Sequence, residues 1–170
     1  NGVLYAFGMA NLLYEWNQLD AAEQHLAQGM AMVQAALTVT AESITQGYLT
    51  LARLRQARAD PAGARATLDA FAELARQRSF ATVLLARGAA LRVQLGLLNG
   101  LPATSWVAAS GLHTDDPALP FVREAEYLTL ARAQIAMQRA SPTRAVDRSL
   151  LHLLERLLAQ AEAHGRNASV

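Results

Sequence analysis

Tyr48-Leu49-Thr50-Leu51-Ala52-Arg53 recurs unchanged as Tyr127-Leu128-Thr129-Leu130-Ala131-Arg132. The copies lie 79 positions apart, which is two periods of a helical-hairpin repeat of roughly 34–47 residues. The spacing predicts an array of helical hairpins with one diverged unit between the two copies.

Outward from the first copy, the chain turns at Ala59-Asp60-Pro61. Asp60 can cap the next helix, and Pro61 fits the first helical position, where its missing N–H costs nothing. Ala64 and Leu68 then stand four apart on that helix. A shift of 42 toward the N-terminus carries Ala52, Ala64 and Leu68 onto Ala10, Ala22 and Leu26. A small residue in mid-helix A, a polar turn, then a small and a large residue on helix B is the tetratricopeptide template, which needs small side chains where its helices cross closely. In the first unit Leu4, Phe7, Ala10, Leu13 and Tyr14 form the apolar stripe of a helix ending near Asn17. Asp20 with Glu23 reads as a capping box, and Leu26, Gly29, Met30 and Val33 as the stripe that follows.

Beyond the second unit Ser79 is expected to cap a new helix from about Ala81 to Leu98. Asn99-Gly100-Leu101 turns it into a short helix through Trp106 to Ser110. Gly111 to Pro120 has two prolines, paired aspartates and no periodicity, and is expected as a surface loop. The second hexapeptide falls on the next helix, and Ser141-Pro142 starts a last one that stops at Gly165. The predicted fold is all-α: about eight helices in four antiparallel hairpins, a right-handed tetratricopeptide-like superhelix. The units are 1–38, 39–78, 79–112 and 121–166, with the loop at 111–120, all in one helical-repeat domain.

Composition agrees. Apolar residues make up 52% and charged residues 17%, enough for a continuous core in helices rich in Ala and Leu. Net charge is +1, and the basic residues are all Arg, interspersed with acids. Direct nucleic-acid contact is therefore not expected, since it calls for clustered cations. Without cysteine there is no disulfide framework or thiolate metal site. No apolar run is long enough for a membrane span, and a cytoplasmic location is expected. The start at Asn1 without Met suggests a piece of a larger protein.

Three stretches carry a family resemblance: Leu12-Leu13-Tyr14-Glu15-Trp16-Asn17-Gln18-Leu19-Asp20-Ala21-Ala22-Glu23, Leu51-Ala52-Arg53-Leu54-Arg55-Gln56-Ala57-Arg58, and Arg123-Glu124-Ala125-Glu126-Tyr127-Leu128-Thr129-Leu130-Ala131-Arg132. Together with Ser110-Gly111-Leu112 before Asp115-Asp116-Pro117, and the closing Leu154-Glu155-Arg156-Leu157-Leu158-Ala159, they resemble the repeat region of MalT-like, LuxR-family ATP-dependent transcription regulators. In that family an ATPase module precedes the repeats and a DNA-binding helix-turn-helix module follows them. The resemblance implies a regulatory sensor region that binds an inducer, an oligosaccharide in the namesake, or a partner protein. A chain without Lys cannot supply a phosphate-binding loop of the ATPase kind.

The wall formed by the first helix of each hairpin is where such arrays bind. On this register it presents Asn11, Tyr14 and Glu15 from the first unit, Arg53 and Gln56 from the second, and Arg132 from the fourth. A guanidinium there can hold a carboxylate, a phosphate or sugar hydroxyls, and Tyr14 offers a stacking face. The competing reading pairs Arg53 and Arg132 with acids such as Glu15 or Glu124, and leaves Tyr14 to pack. His25, His113, His152 and His164 sit on separate elements and include no pair at metal-ligand spacing, so no metal and no cofactor is expected. Trp16 and Trp106 read as packing residues beside turns. Neither a Cys nucleophile nor a plausible Ser-His-acid set is present, and the module is expected to be non-catalytic. The last helix carries more leucine than its hairpin partner can cover, so self-association through it is expected. The alternative function is a protein-interaction scaffold that takes a peptide or another copy and no small molecule.

Overall fold

A computed structural model describes residues 2–35, 39–140, 148–163 and 165. Among them are eight α-helices and no strand: α1 (Gly2–Glu15), α2 (Leu19–Ala35), α3 (Ala41–Ala57), α4 (Pro61–Gln77), α5 (Thr82–Leu98), α6 (Thr104–Ala109), α7 (Glu124–Ala140) and α8 (Arg148–Ala163). A 3-10 turn, Phe121–Arg123, leads into α7. The chain divides into two compact units, Asn1–Leu95 and Gly96–Val170.

Four helix ends close in the same way. At the end of α1 the Gln18 N–H bonds the Leu13 carbonyl at 2.8 Å and the Asn17 N–H bonds that of Tyr14 at 2.9 Å. The same pair of bonds recurs from Asp60 and Ala59, from Phe80 and Ser79, and from Leu101 and Gly100. This Schellman arrangement satisfies carbonyls the helix leaves orphaned, and it needs one residue in the left-handed region. Gly100 takes that conformation without strain, but Asn17, Ala59 and Ser79 take it too, with φ of 57°, 57° and 52°. Ser79 thus ends α4 and does not cap α5. Asp60 caps α4 as expected, accepting from the Gly63 N–H at 2.8 Å, with Pro61 in the first turn.

The capping box at the start of α2 does not form. The helix begins at Leu19, before Asp20, with the Ala22 N–H already bonded to the Gln18 carbonyl. Asp20 and Glu23 instead bind one cation, Arg58 at the end of α3; the Glu23 contact is 3.0 Å. A carboxylate in a first turn has two uses, the helix's own N–H groups or a neighbouring Arg, and tertiary proximity decides here in favour of the second.

In the first unit the core follows the repeat template. Ala10, Ala22, Ala52 and Ala64 are all buried, and so are Leu26 and Leu68. Phe7, Leu13, Leu26, Ile44 and Leu54 join α1, α2 and α3. Leu49, Ala52, Ala64, Leu68, Leu91 and Leu95 join α3, α4 and α5. Arg55 braces α3 on α4 by donating to the Gly63 carbonyl at 3.0 Å and to Thr67 Oγ1 at 2.7 Å. Leu4 departs from the expected stripe: it is exposed, and Ala6 takes its place in the core. Trp16 is exposed as well, so it is not a packing residue within this unit.

In the second unit Tyr127, Leu130 and Ala131 of α7 pack on Leu150, Leu153 and Leu157 of α8, with Trp106 of α6 against the same cluster. The segment 111–120 lies on the surface as expected, with six of its ten residues exposed, but two leucines anchor it. Leu112 and Leu119 are buried in that core. Tyr127 Oη donates to Asp116 at 2.8 Å, Gln160 to the Leu119 carbonyl at 2.8 Å, and Arg156 to the Pro117 carbonyl at 3.1 Å. Its two leucines bury enough apolar surface, and its carbonyls find enough side-chain donors, to hold an irregular backbone against the helices. The expected start of the last helix at Ser141-Pro142 lies outside the described residues; Gly165 is left-handed, with φ 64°, just beyond the end of α8.

Candidate binding face

Two contacts align α1 with α3. The Phe7 ring lies against Gly47, and one turn further along each helix Thr50 Oγ1 donates to Asn11 Oδ1 at 3.3 Å. Because both contacts advance in the same direction, the two helices run parallel at this point. Thr50, Arg53 and Gln56 follow one another at three-residue spacing along α3, and Asn11 leads to Tyr14 and Glu15 along α1. Five of the six expected site residues thus belong to α1 and α3, two helices that pack on each other. Arg132 belongs to the second unit, on α7.

Burial distinguishes the members of this set. Asn11, Tyr14, Arg53 and Gln56 are half-buried, whereas Glu15 and Arg132 are exposed. Tyr14 packs one side against the first core cluster. Asn11 is oriented by Thr50, and Gln56 already has an interaction partner. Arg53 and Arg132 enter no ion pair or hydrogen bond among the described residues, so the pairing with Glu15 or Glu124 does not form. Arg53 thus combines partial burial with a guanidinium that has no partner among the described residues, one turn along α3 from the Thr50–Asn11 contact.

Thr50 is the residue that sequence reasoning passed over. It counts as one letter of the hexapeptide, yet it is fully buried and fixes α1 to α3. The equivalent Thr129 is equally buried but turns back on its own helix, donating to the Ala125 carbonyl at 2.7 Å. A buried hydroxyl can bond the carbonyl of its own preceding turn or reach across to another helix, as Thr50 does.

Two hollows lie among the described residues of the second unit. One, about 450 Å³, lies between the Gly100–Thr104 turn and the end of α7 at Ala136, Met137 and Ala140. The other, about 370 Å³, runs between α7 and α8 along Leu128, Leu151, Leu154 and Leu158, with Glu124 and Glu155 at its rim. Neither contains Arg132. Close to them Arg123 bonds Glu126 Oε2 through Nε at 3.2 Å and Nη2 at 2.9 Å, which holds the guanidinium pKa above its usual value. The His113 N–H and then the Tyr127 hydroxyl, both donating to Asp116, keep that carboxyl below the usual carboxylate range. Burial first, and the bond to Asp116 second, push the Tyr127 hydroxyl up to about 12.

His25 is half-buried with its ring edge-on to Tyr5, and His113 and His152 are exposed; His164 lies outside the described residues. No described helix is long and apolar enough to cross a membrane. No curated protein and no solved structure matches the chain. The alternation of paired helices, the small residues at their crossings and the recurrent Schellman ends are those of a tetratricopeptide-like repeat. A family model described as the MalT-like TPR region matches residues 2–170, and the chain belongs to that family.

Proposed function

We propose that this chain is a non-catalytic sensor module of a transcription regulator, and that the α1–α3 face around Arg53 binds its inducer. The observation that carries this reading is the state of Arg53: half-buried on a helix held in register by the Thr50–Asn11 bond, with no partner for its charge among the described residues. Asn11 and Tyr14 on the neighbouring helix offer an amide and a ring, and with Arg53 they suit a ligand with an anionic or hydroxyl-rich portion, such as an oligosaccharide. Binding would work by population shift: contacts from two hairpins favour one of their relative arrangements, and neighbouring modules of the regulator read the change.

A protein-interaction role is the second reading, favoured by the apolar α7–α8 groove. Titration calorimetry and thermal-shift screening with oligosaccharides and small metabolites separate the two. Saturable binding lost in Arg53→Ala and weakened in Tyr14→Ala, with the unliganded melting temperature nearly unchanged, supports the sensor. Screens without binding, alongside a stoichiometric protein partner, overturn it.

A further inference from the structure

The acids of the first unit are almost all engaged away from Arg53. Asp20 and Glu23 bind Arg58, Asp69 binds Arg92, Glu73 binds Arg76, and Asp60 caps α4. Two remain. Glu42 stands in the first turn of α3, far along that helix from Arg53, and Glu15 is exposed; neither enters an ion pair among the described residues. Helix α5 carries no acid at all. Arg65, Arg78 and Arg87 also lack a partner among the described residues, but all three are exposed and water solvates them. Arg53 is half-buried. A guanidinium drawn partly out of water, with no counter-ion from its own chain, is the group that gains most from an external anion.

The hydrogen bonding of Asn11 narrows the kind of anion. Its Oδ1 accepts from Thr50 Oγ1 at 3.3 Å, so the side chain has its Nδ2 hydrogens left to give. Arg53 follows Thr50 by three residues and stands on the same side of α3. Guanidinium and amide N–H2 both need acceptors. A carboxylate only accepts, whereas each hydroxyl of a neutral polyol must also place a proton. The position equivalent to Arg53 on α5 is Gln94, because Gly47 and Gly88 hold the same place in their two helices and each faces a phenylalanine ring. Gln94 is half-buried as well, so Asn11, Arg53 and Gln94 repeat on α1, α3 and α5 without an acid among them. One arginine balances one negative charge, and its planar fork matches the two oxygens of a carboxylate; a phosphate dianion leaves a charge uncompensated. We infer that the ligand of this face is a small monocarboxylate, held through its carboxylate by the Arg53 guanidinium and the Asn11 Nδ2. This rests on the sensor reading of the Arg53 face and narrows its ligand from anionic or hydroxyl-rich to anionic.

Nitrogen-15 spectra of the 170-residue chain, titrated with sodium gluconate, sorbitol or inorganic phosphate, test the inference. Each probe is taken to about 50 mM at constant ionic strength and about pH 7.5, which reaches millimolar affinities with the carboxylate ionised. Gluconate and sorbitol share a carbon chain and differ in the carboxylate. The resonances to follow are the Asn11 Nδ2–H2 pair, identified by its absence from Asn11→Asp, and the Arg53 backbone N–H. Gluconate should move both saturably, sorbitol should leave them in place, and phosphate should need several-fold higher concentration. Asn11→Asp keeps an oxygen for Thr50 and supplies Arg53 with an internal counter-ion. It should abolish the gluconate response at the Arg53 N–H, with a melting temperature no lower than the parent's. Arg53→Lys keeps the charge but loses the fork, and should weaken gluconate roughly tenfold. Sorbitol acting as gluconate does, or phosphate acting at lower concentration, overturns the carboxylate assignment and leaves the face a ligand site. A gluconate response that survives both Asn11→Asp and Arg53→Ala overturns the assignment and the sensor reading of this face together. Silence from all three probes overturns the assignment alone, since the sensor reading stands or falls on its own screen.

Discussion

The Phe7 ring occupies the space a side chain at Gly47 would need: a Cβ built there would stand 2.5 Å from Phe7 Cζ. A Cβ built at Gly29 on α2 would run into the same ring. At the next junction the ring comes from the other helix of the hairpin, Phe71 of α4, and it meets Gly88 of α5 at 2.6 Å. Both hairpin junctions of the first unit seat a phenylalanine ring against a glycine of the incoming helix, while the helix that supplies the ring changes.

Gly47→Ala is therefore expected to destabilise the protein. Helix propensity alone favours alanine by about 1 kcal/mol, but overpacking against a rigid ring costs roughly 1–3 kcal/mol and prevails. Phe7→Leu in the same chain should recover part of the loss. Gly8→Ala is the control, since nothing lies within 4 Å of a Cβ there; it should gain up to about 1 kcal/mol. Urea midpoints of the four proteins measure both signs, and a stabilised Gly47→Ala would refute the close approach.

Ala59 holds a left-handed conformation, with φ 57°, that costs an L-residue roughly 1–2 kcal/mol. Glycine pays no such cost but makes the unfolded chain more flexible, so Ala59→Gly should stabilise by about 0.5–1 kcal/mol net. Thermal unfolding reads this directly. Asn17→Gly should gain less, because asparagine tolerates the region better than alanine.

Arg58 bridges Asp20 and Glu23, but Asp20 is 94% exposed and Glu23 52%. Solvent screening limits the bridge, and Arg58→Ala should cost less than about 1 kcal/mol. The difference from wild type should vanish in roughly 1 M NaCl, where screening acts over about 3 Å. A loss that survives such salt would point to the arginine's aliphatic stem packing on α2 instead.

The Asp116–Tyr127 bond should leave a mark at both ends of the pH range. Asp116 has its folded pKa lowered from 3.8, so its stabilisation is present above that value and is lost as pH falls through the still lower folded pKa. Tyr127 has its folded pKa raised from 10.0 to about 12, so its contribution holds below pH 10 and is lost as pH rises toward 12. Spectrophotometric titration should show one of the four tyrosines ionising late. Tyr127→Phe should remove that component and cost about 0.5–1.5 kcal/mol near neutrality. A titration without any late-ionising component would contradict the buried bond.

Much of the first unit was legible from residue spacing. Ala10, Ala22, Ala52 and Ala64 mark helix crossings because only small side chains fit there, and Asp60-Pro61 marks a helix start because its chemistry is local. The helix ends were harder to read. Ala59 and Ser79 carry no intrinsic preference for the left-handed conformation, so no local signal announces them, whereas Gly100 does. Asp20 was misread because a carboxylate beside a helix start can serve a backbone N–H or a distant Arg, and Arg58 is 38 positions away in sequence. The 111–120 segment is legible as surface from its prolines, its paired aspartates and its lack of periodicity, but its two anchors are not: Leu112 and Leu119 reach the core without any periodic pattern to announce them.

The hexapeptide by itself determined the class of fold, the hairpin register and the helices that bear the candidate residues, because the 3.6-residue period and the crossing alanines are local properties of the chain. Tertiary structure decided which partner each side chain meets. It seats Phe7 against Gly47, turns Thr50 to Asn11 while Thr129 bonds its own helix, and leaves Arg53 half-buried and uncommitted where Arg132 is exposed. Identical letters in the two hexapeptides acquire different surroundings because packing depends on neighbours that the repeat does not copy.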